Sequence, residues 1–146
     1  MRVHQAMSRD VCVAGPEQSL CDVACSMARI DSGAIPVAEN DRLVGMVTDR
    51  DIALRGVAVG KGPLTPVREV MTRDVKYCYE DEDLAHMAQN MAELRVRRLP
   101  VLNRQKRLVG ILSLGDIALS EGKGAAGEAI TGISQHGGPH SQVAIA

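Results

Sequence analysis

Two hydroxyls and two carboxylates recur at one spacing. Thr48 stands three residues before Asp51, and Ser113 three before Asp116. Each hydroxyl follows a glycine by three, Gly45 or Gly110. A hydroxyl at a helix start lies beside free backbone N–H groups and the positive end of the helix dipole, a setting that suits a phosphate. A carboxylate one turn in can accept hydrogen bonds from both hydroxyls of a ribose. A glycine on an aliphatic strand leaves a flat apolar slot for a base. Ribose, phosphate and base together describe a nucleotide. The same residues also have an architectural use. Thr-x-x-Asp and Ser-x-x-Asp are capping boxes, in which hydroxyl and carboxylate satisfy each other's backbone N–H, and a strand glycine also marks a place where another backbone comes close. Spacing alone leaves both readings open.

The elements that must position these residues are themselves repeated. Residues 43–54 read LVGMVTDRDIAL and residues 108–119 read LVGILSLGDIAL, identical at seven of twelve positions. Upstream, Met7-Ser8-Arg9-Asp10-Val11 returns as Met71-Thr72-Arg73-Asp74-Val75, and Ile35-Pro36-Val37 as Leu99-Pro100-Val101, both at an offset of 64. Gly45 returns as Gly110, at 65, so one residue is inserted in the intervening turn. Ser19 is a helix cap, and Leu20, Val23, Ala24 and Met27 follow at helical spacing. In the second copy Asp83 caps, and Leu84, Met87, Ala88, Met91 and Leu94 form the stripe. Short strands are predicted at Ile35–Val37 and Leu43–Val47, and at Leu99–Leu102 and Arg107–Leu112. A short helix then begins at Asp49 in one copy and at Leu114 in the other. Each copy therefore reads helix, strand, strand, helix behind an extended lead-in. The expected organisation is unit 1 at residues 1–56, a Gly/Pro linker at 57–68, unit 2 at 69–120 and a Gly-rich tail without periodicity at 121–146. Units of ~50 residues bury too little surface to stand alone.

Composition removes several function classes. The formal net charge is −1, which argues against a dedicated nucleic-acid binder. There is no Trp and no Phe, only Tyr77 and Tyr79, so an aromatic base-stacking platform cannot be built. No apolar run approaches the ~20 residues that span a bilayer, and the amino terminus does not read as a signal peptide. Cys12, Cys21, Cys25 and Cys78 lack CxxC spacing and read as reduced thiols of a cytoplasmic protein. Cys21 and Cys25 share a helix face; they read as small buried hydrophobes rather than as a redox or metal pair. His136 and His140 in the tail are weak metal candidates, and His86 lies in the other copy's helix. Met27, Met87 and Met91 read as core filler. The basic run Arg95, Arg97, Arg98, Arg104, Lys106 and Arg107 reads as a solvated face, with phosphate contact by Arg97 or Arg98 as the alternative. No nucleophile elbow, P-loop or metalloprotease motif is present, so no enzyme is expected.

The ordered set is hydrophobic-Pro-Val, then Gly-(two hydrophobic)-Thr/Ser-x-x-Asp, behind a Met-(Ser/Thr)-x-Asp-Val lead-in. Occurring twice, it resembles the cystathionine β-synthase (CBS) domain, and the two copies together resemble a CBS pair, or Bateman module, over about residues 6–120. The resemblance implies an α+β fold of two units about a pseudo-twofold axis, with two clefts that bind adenosine-containing ligands: AMP, ADP, ATP or S-adenosylmethionine. Carried over by position, Asp51 and Asp116 would hold the riboses, and Thr48 and Ser113 the phosphates. Ala34, Ile35 and Pro36 with Cys12 and Val13 would line one base, and Arg98, Leu99 and Pro100 with Lys76 and Tyr77 the other. Arg50 offers a phosphate a charge-assisted donor where Gly115 offers open space, so the two sites are expected to differ in affinity. The resemblance further implies a homodimer meeting through the short helices near Asp49 and Leu114. The expected function is a non-catalytic sensor of adenine nucleotides, without a cofactor, acting on an unidentified regulated protein. The alternatives are a ligand-free scaffold and a thiol-based stress switch through Cys21 and Cys25.

Overall fold

Ser19 and Asp83 start the two long helices, as their side chains dictate. In the computed structural model, which describes residues 1–121 and 123–133, Ser19 Oγ accepts from the Asp22 N–H at 3.1 Å and Asp83 Oδ2 from the His86 N–H at 3.4 Å. The helices they cap are α1 (Leu20–Ile30) and α3 (Leu84–Leu94). Both end on a non-glycine residue in the left-handed region, Asp31 at φ 53° and Arg95 at φ 57°. The chain forms two compact units. One comprises residues 12–75 and 106–108; the other comprises residues 1–11, 76–105, 109–121 and 123–133.

In the Thr48 unit, α1 turns its Leu20, Val23 and Met27 inward. β1 (Ala34–Glu39) pairs antiparallel with β2 (Arg42–Thr48), setting Ala34 opposite Thr48, with an irregularity between Val37 and Ala38. The reversal uses Asn40 and Asp41, both at positive φ. α2 (Asp49–Asp51) then winds on as a wider π turn over Ile52–Gly56 and a 3-10 turn over Val57–Val59, where the sequence predicts one plain helix. Gly56 is buried, and a Cβ there would lie 3.1 Å from Leu20 Cδ1. The segment expected to be a linker is built into this unit. Thr65 and Pro63 carbonyls accept from the Leu20 and Cys21 N–H groups at 2.9 and 3.0 Å, satisfying donors that the first turn of α1 leaves open. Val67, Val70 and Met71 complete the core with Ile35, Val37 and Val47.

The Ser113 unit is closed in the same way by the chain's first residues. Val3 and Met7 join its core, and the Val3 N–H donates to Glu82 O at 2.9 Å. β3 (Cys78–Tyr79) runs parallel to β4 (Arg98–Leu102), and β5 (Leu108–Ser113) lies on the other side of β4. α4 (Leu114–Glu121) follows directly. The lead-in segments therefore do not pack with the repeats they precede in sequence. Residues 1–11 sit with the second copy's strands, and residues 67–75 with the first copy's.

Three expectations are corrected. The tail carries a helix, α5 (Lys123–Ile133), which packs on α3 and α4 and buries Ile133. Three glycines lower its intrinsic propensity, so its stability comes from packing, which sequence periodicity does not display. Ala24 and Leu94 are exposed rather than core. Cys21 and Cys25 are exposed rather than buried, because α1 leaves the face that carries them and Ala24 open to solvent. His136 and His140 lie outside the described residues.

Candidate functional site

Each unit carries one candidate locus, at the point where a strand runs into a short helix. In the first, the Asp51 N–H donates to Thr48 Oγ1 at 3.0 Å and the Thr48 N–H to Asp51 Oδ2 at 3.0 Å, a closed capping box. Asp51 Oδ1 accepts no hydrogen bond among the described residues; it faces Arg55 Nη1 at 3.9 Å, and the side chain remains 17% exposed. The Asp49 N–H donates to Gly33 O at 2.9 Å, which fixes Gly33 and Ala34 beside Thr48 and Asp49. The Asp49 carboxylate fills the space over Gly33, where a Cβ would meet its Oδ2 at 2.7 Å. Arg50 is exposed, and among the described residues only its backbone N–H is engaged, by Asp49 Oδ1 at 2.8 Å. The segment holding Cys12 and Val13 runs beside β1, fixed by Ala14 N–H to Pro36 O and Ala38 N–H to Ala14 O, both 2.9 Å.

The second locus repeats the frame with different chemistry. The Asp116 N–H donates to Ser113 Oγ at 3.1 Å and the Ser113 N–H to Asp116 Oδ2 at 2.9 Å. Asp116 Oδ1 is likewise without a hydrogen bond among the described residues. The Leu114 N–H donates to Arg97 O at 3.1 Å, placing Arg97 and Arg98 where the first locus has Gly33 and Ala34. Arg97, Arg98 and Lys76 are exposed. Tyr77, 40% exposed, meets Tyr79 edge to face with centroids 5.6 Å apart. Sequence reasoning missed what lies behind that pair. Arg104 stacks on the Tyr79 ring at 4.1 Å and forks onto both Asp81 oxygens at 2.8 and 2.9 Å. Those hydrogen bonds hold the Asp81 carboxyl below its usual range and raise the Arg104 guanidinium above its own, while the Tyr77 hydrogen bond raises Tyr79. The partners are 23 residues apart with no shared motif to link them.

Part of the expected lining is not at the surface. Ile35 and Leu99 are each 1% exposed and belong to the cores, and Pro36 and Pro100 are buried in the same strands. Gly45 and Gly110 are not open slots either. A Cβ at Gly45 would lie 2.6 Å from Met71 Sδ and 3.0 Å from Thr72 O; one at Gly110 would lie 2.6 Å from Met7 Sδ and 2.8 Å from Ser8 O. Both glycines admit the close backbone approach of a lead-in segment. What remains accessible or half-buried is Thr48, Arg50, Asp51, Ala34, Cys12 and Val13 in one unit, and Ser113, Asp116, Arg98, Lys76 and Tyr77 in the other.

Two further features fall outside the expected sites. An open cleft of about 550 Å³ in the Thr48 unit is lined by Arg55, Lys61, Arg68, Thr72 and Arg73 with Glu69 and Asp74. Its cations are largely matched, Lys61 to Glu69 at 2.9 Å and Arg68 to Glu17 at 3.0 Å, and the Lys61 ammonium lowers the Glu69 carboxyl. Cys21 and Cys25 lie close enough that Cys25 raises the Cys21 thiol. Among the described residues no three His, Cys, Asp or Glu side chains come together as metal ligands, and no helix is long and apolar enough to cross a membrane.

Comparison with known proteins bears on the repeat as a whole. The CBS domain family model matches twice, at residues 3–56 and 67–120. A CBS domain-containing protein of Bacillus subtilis, YhcV, is 41% identical over 133 residues, 90% of this chain and 94% of its own length. Hypoxic response protein 1 of Mycobacterium tuberculosis is 39% identical over 114 residues, 77% of this chain and 79% of its own. Among solved structures, Hypoxic Response Protein I with two coordinated zinc ions has a TM-score of 0.75 at 35% identity, covering 82% of this chain and 98% of that one. A CBS domain pair in complex with 5′-methylthioadenosine and S-adenosylmethionine has a TM-score of 0.72 at 28% identity, covering 82% and 98%.

Proposed function

Because the chain belongs to the CBS domain family and carries two CBS domains, we propose that it is a non-catalytic regulatory module that binds adenosine-containing ligands and signals their presence to a partner protein. The observation that carries this reading is the carboxylate oxygen left over at each locus. The caps consume Oδ2 of Asp51 and of Asp116 and leave Oδ1 unbonded beside a hydroxyl at a helix start. A ribose diol supplies the donors such an oxygen lacks, and the Thr48 or Ser113 hydroxyl, whose oxygen accepts from the cap N–H, still has its own hydrogen to donate to the 5′ substituent. The solved relative with two adenosyl ligands makes this class of compound the first to test. AMP, ADP and ATP are the leading members, and ligand acts by favouring the arrangement it binds more tightly.

Isothermal titration with AMP, ADP, ATP and S-adenosylmethionine tests the reading, with Asp51→Ala and Asp116→Ala beside the wild type. Micromolar binding, reduced in one or both variants, is the expected result; no heat from any of the four ligands overturns it. The completed caps favour one second reading, a scaffold whose Thr/Ser-x-x-Asp boxes only start helices. For a scaffold, Thr48→Ala costs about 1 kcal/mol of stability, and no adenosine compound raises the melting temperature.

Homodimer formation belongs to the same proposal. Leu119, 90% exposed, and Leu54 and Val57 stand out on the helical turns that follow the two sites. Sedimentation at micromolar concentration distinguishes a dimer from a monomer, and Leu119→Glu shifts the former toward the latter.

A further inference from the structure

The two loci share a backbone frame but not a charge. Equivalent hydrogen bonds, Asp49 N–H to Gly33 O and Leu114 N–H to Arg97 O, show which side chains occupy the same place in each unit. Gly33 and Ala34 correspond to Arg97 and Arg98, Asp49 to Leu114, and Cys12 to Lys76. At every one of these positions the Ser113 locus is the more positive. Arg50, matched by Gly115, and Arg55, matched by Ser120, run the other way. The Thr48 locus thus sets Arg50 and Arg55 against the carboxylates of Asp49 and Asp51. The Ser113 locus sets Lys76, Arg97 and Arg98 against Asp116 alone.

The contrast deepens when pairing is considered. Arg97, Arg98 and Lys76 are exposed and form no ion pair or side-chain hydrogen bond among the described residues. In the Thr48 unit Arg55 faces Asp51 at 3.9 Å, Lys61 pairs with Glu69 and Arg68 with Glu17, while Arg29 reaches Cys12 Sγ at 3.9 Å and Arg50 is exposed. The acidic side of this locus is also built in rather than incidental. The missing Cβ of Gly33 is what lets the Asp49 carboxylate sit where it does, and Arg97 with Leu114 is a different solution at the same place. Unpaired guanidinium groups hold phosphate through forked, charge-assisted hydrogen bonds. A carboxylate beside the phosphate position repels each added negative charge.

We infer that the two loci select ligands of opposite charge: the Ser113 locus takes a polyphosphorylated adenosine, and the Thr48 locus takes an adenosyl compound whose 5′ substituent is neutral or cationic. The inference rests on the adenosine-binding reading above and adds to it a division of ligands between the copies. It gives the molecule two inputs, one from the phosphorylated and one from the non-phosphorylated adenosyl pool.

The test titrates the full chain with ATP and with S-adenosylmethionine, each against Asp51→Ala, which leaves the Ser113 locus intact, and Asp116→Ala, which leaves the Thr48 locus. Asp51→Ala is expected to prefer ATP by about tenfold or more, and Asp116→Ala to prefer S-adenosylmethionine by a similar factor. The same order of preference in both variants overturns the inference while leaving the adenosine reading intact. Silence from the wild type toward both ligands overturns the inference, and silence toward AMP and ADP as well overturns the adenosine reading with it. Arg98→Ala, at an exposed position, keeps the test decisive if loss of a cap unfolds either aspartate variant. Its ATP affinity falls about tenfold more than its adenosine affinity; an equal fall for both, or a fall for neither, overturns the role given to the basic cluster.

Discussion

Cys21 and Cys25 show how residue type and residue position give different answers. A free cysteine is among the most buried residue types, yet both of these are exposed on α1. Helical geometry accounts for it: with the stripe on Leu20, Val23 and Met27, positions 21 and 25 lie roughly 130° and 170° around the helix from its centre. The spacing held the answer, and the chemistry of the side chain concealed it. Cys78 is the opposite case, a buried thiol that desolvation, helped by the Glu82 charge, pushes up to about 12. Near neutral pH, iodoacetamide is expected to modify Cys21 and Cys25 in the native protein and Cys78 only after denaturant is added, as mass mapping can show. The sign of the pH effect follows. Cys78 keeps its proton in the folded state above the pH at which the unfolded chain, at 9.0, loses it. Its contribution to stability is complete below pH 9 and is lost as pH rises toward 12. Urea midpoints should therefore decline over that interval, and decline less in Cys78→Ala.

The strands and caps of each repeat were legible because each is specified locally: Ser19 and Asp83 by their hydroxyl and carboxylate, β1 and β2 by short apolar runs around a polar turn. The two strand glycines were legible only as a choice between a ligand slot and a close backbone. Resolving that choice needs the third dimension, since the neighbours of Gly110 are Met7 and Ser8, a hundred positions away in the chain. Gly110→Ala and Gly45→Ala should each lose about 1–3 kcal/mol of stability by thermal or urea unfolding, because the methionine sulfur can move but the carbonyl of Ser8 or Thr72 cannot. α5 was illegible for the reverse reason. Its glycines depress the local signal, and one of them is there for contact: a Cβ at Gly132 would strike Ala92 O at 2.7 Å. Gly132→Val should separate α5 from α3, seen as faster hydrogen exchange along α5 and a lower melting temperature.

At the scale of the molecule, the repeat in the sequence and the unit in space are not the same stretch of chain. A fragment of residues 1–56 follows the repeat but omits Val67, Val70 and Met71, which complete the core of the Thr48 unit. A fragment of residues 12–75 follows the unit and keeps all three. The second fragment is expected to give the dispersed amide spectrum of a folded domain and the first that of an unfolded chain. Equal dispersion in both would show that the lead-in residues are dispensable.

Assembly on the ribosome inherits this arrangement. Val3 and Met7 leave the exit tunnel about a hundred residues before the strand that Ser8 bridges, β5, which ends only at Ser113. Residues 12–75 can close as soon as they have been made, because every part of that core except the short piece at 106–108 is already out. The opening segment has no such option. It must stay unburied while the middle of the chain is translated, open to proteases and holdase chaperones, and the loop that returns it to β5 is among the longest the fold contains. Residues 3–8 wait longer between synthesis and burial than the unit at 12–75 that follows them.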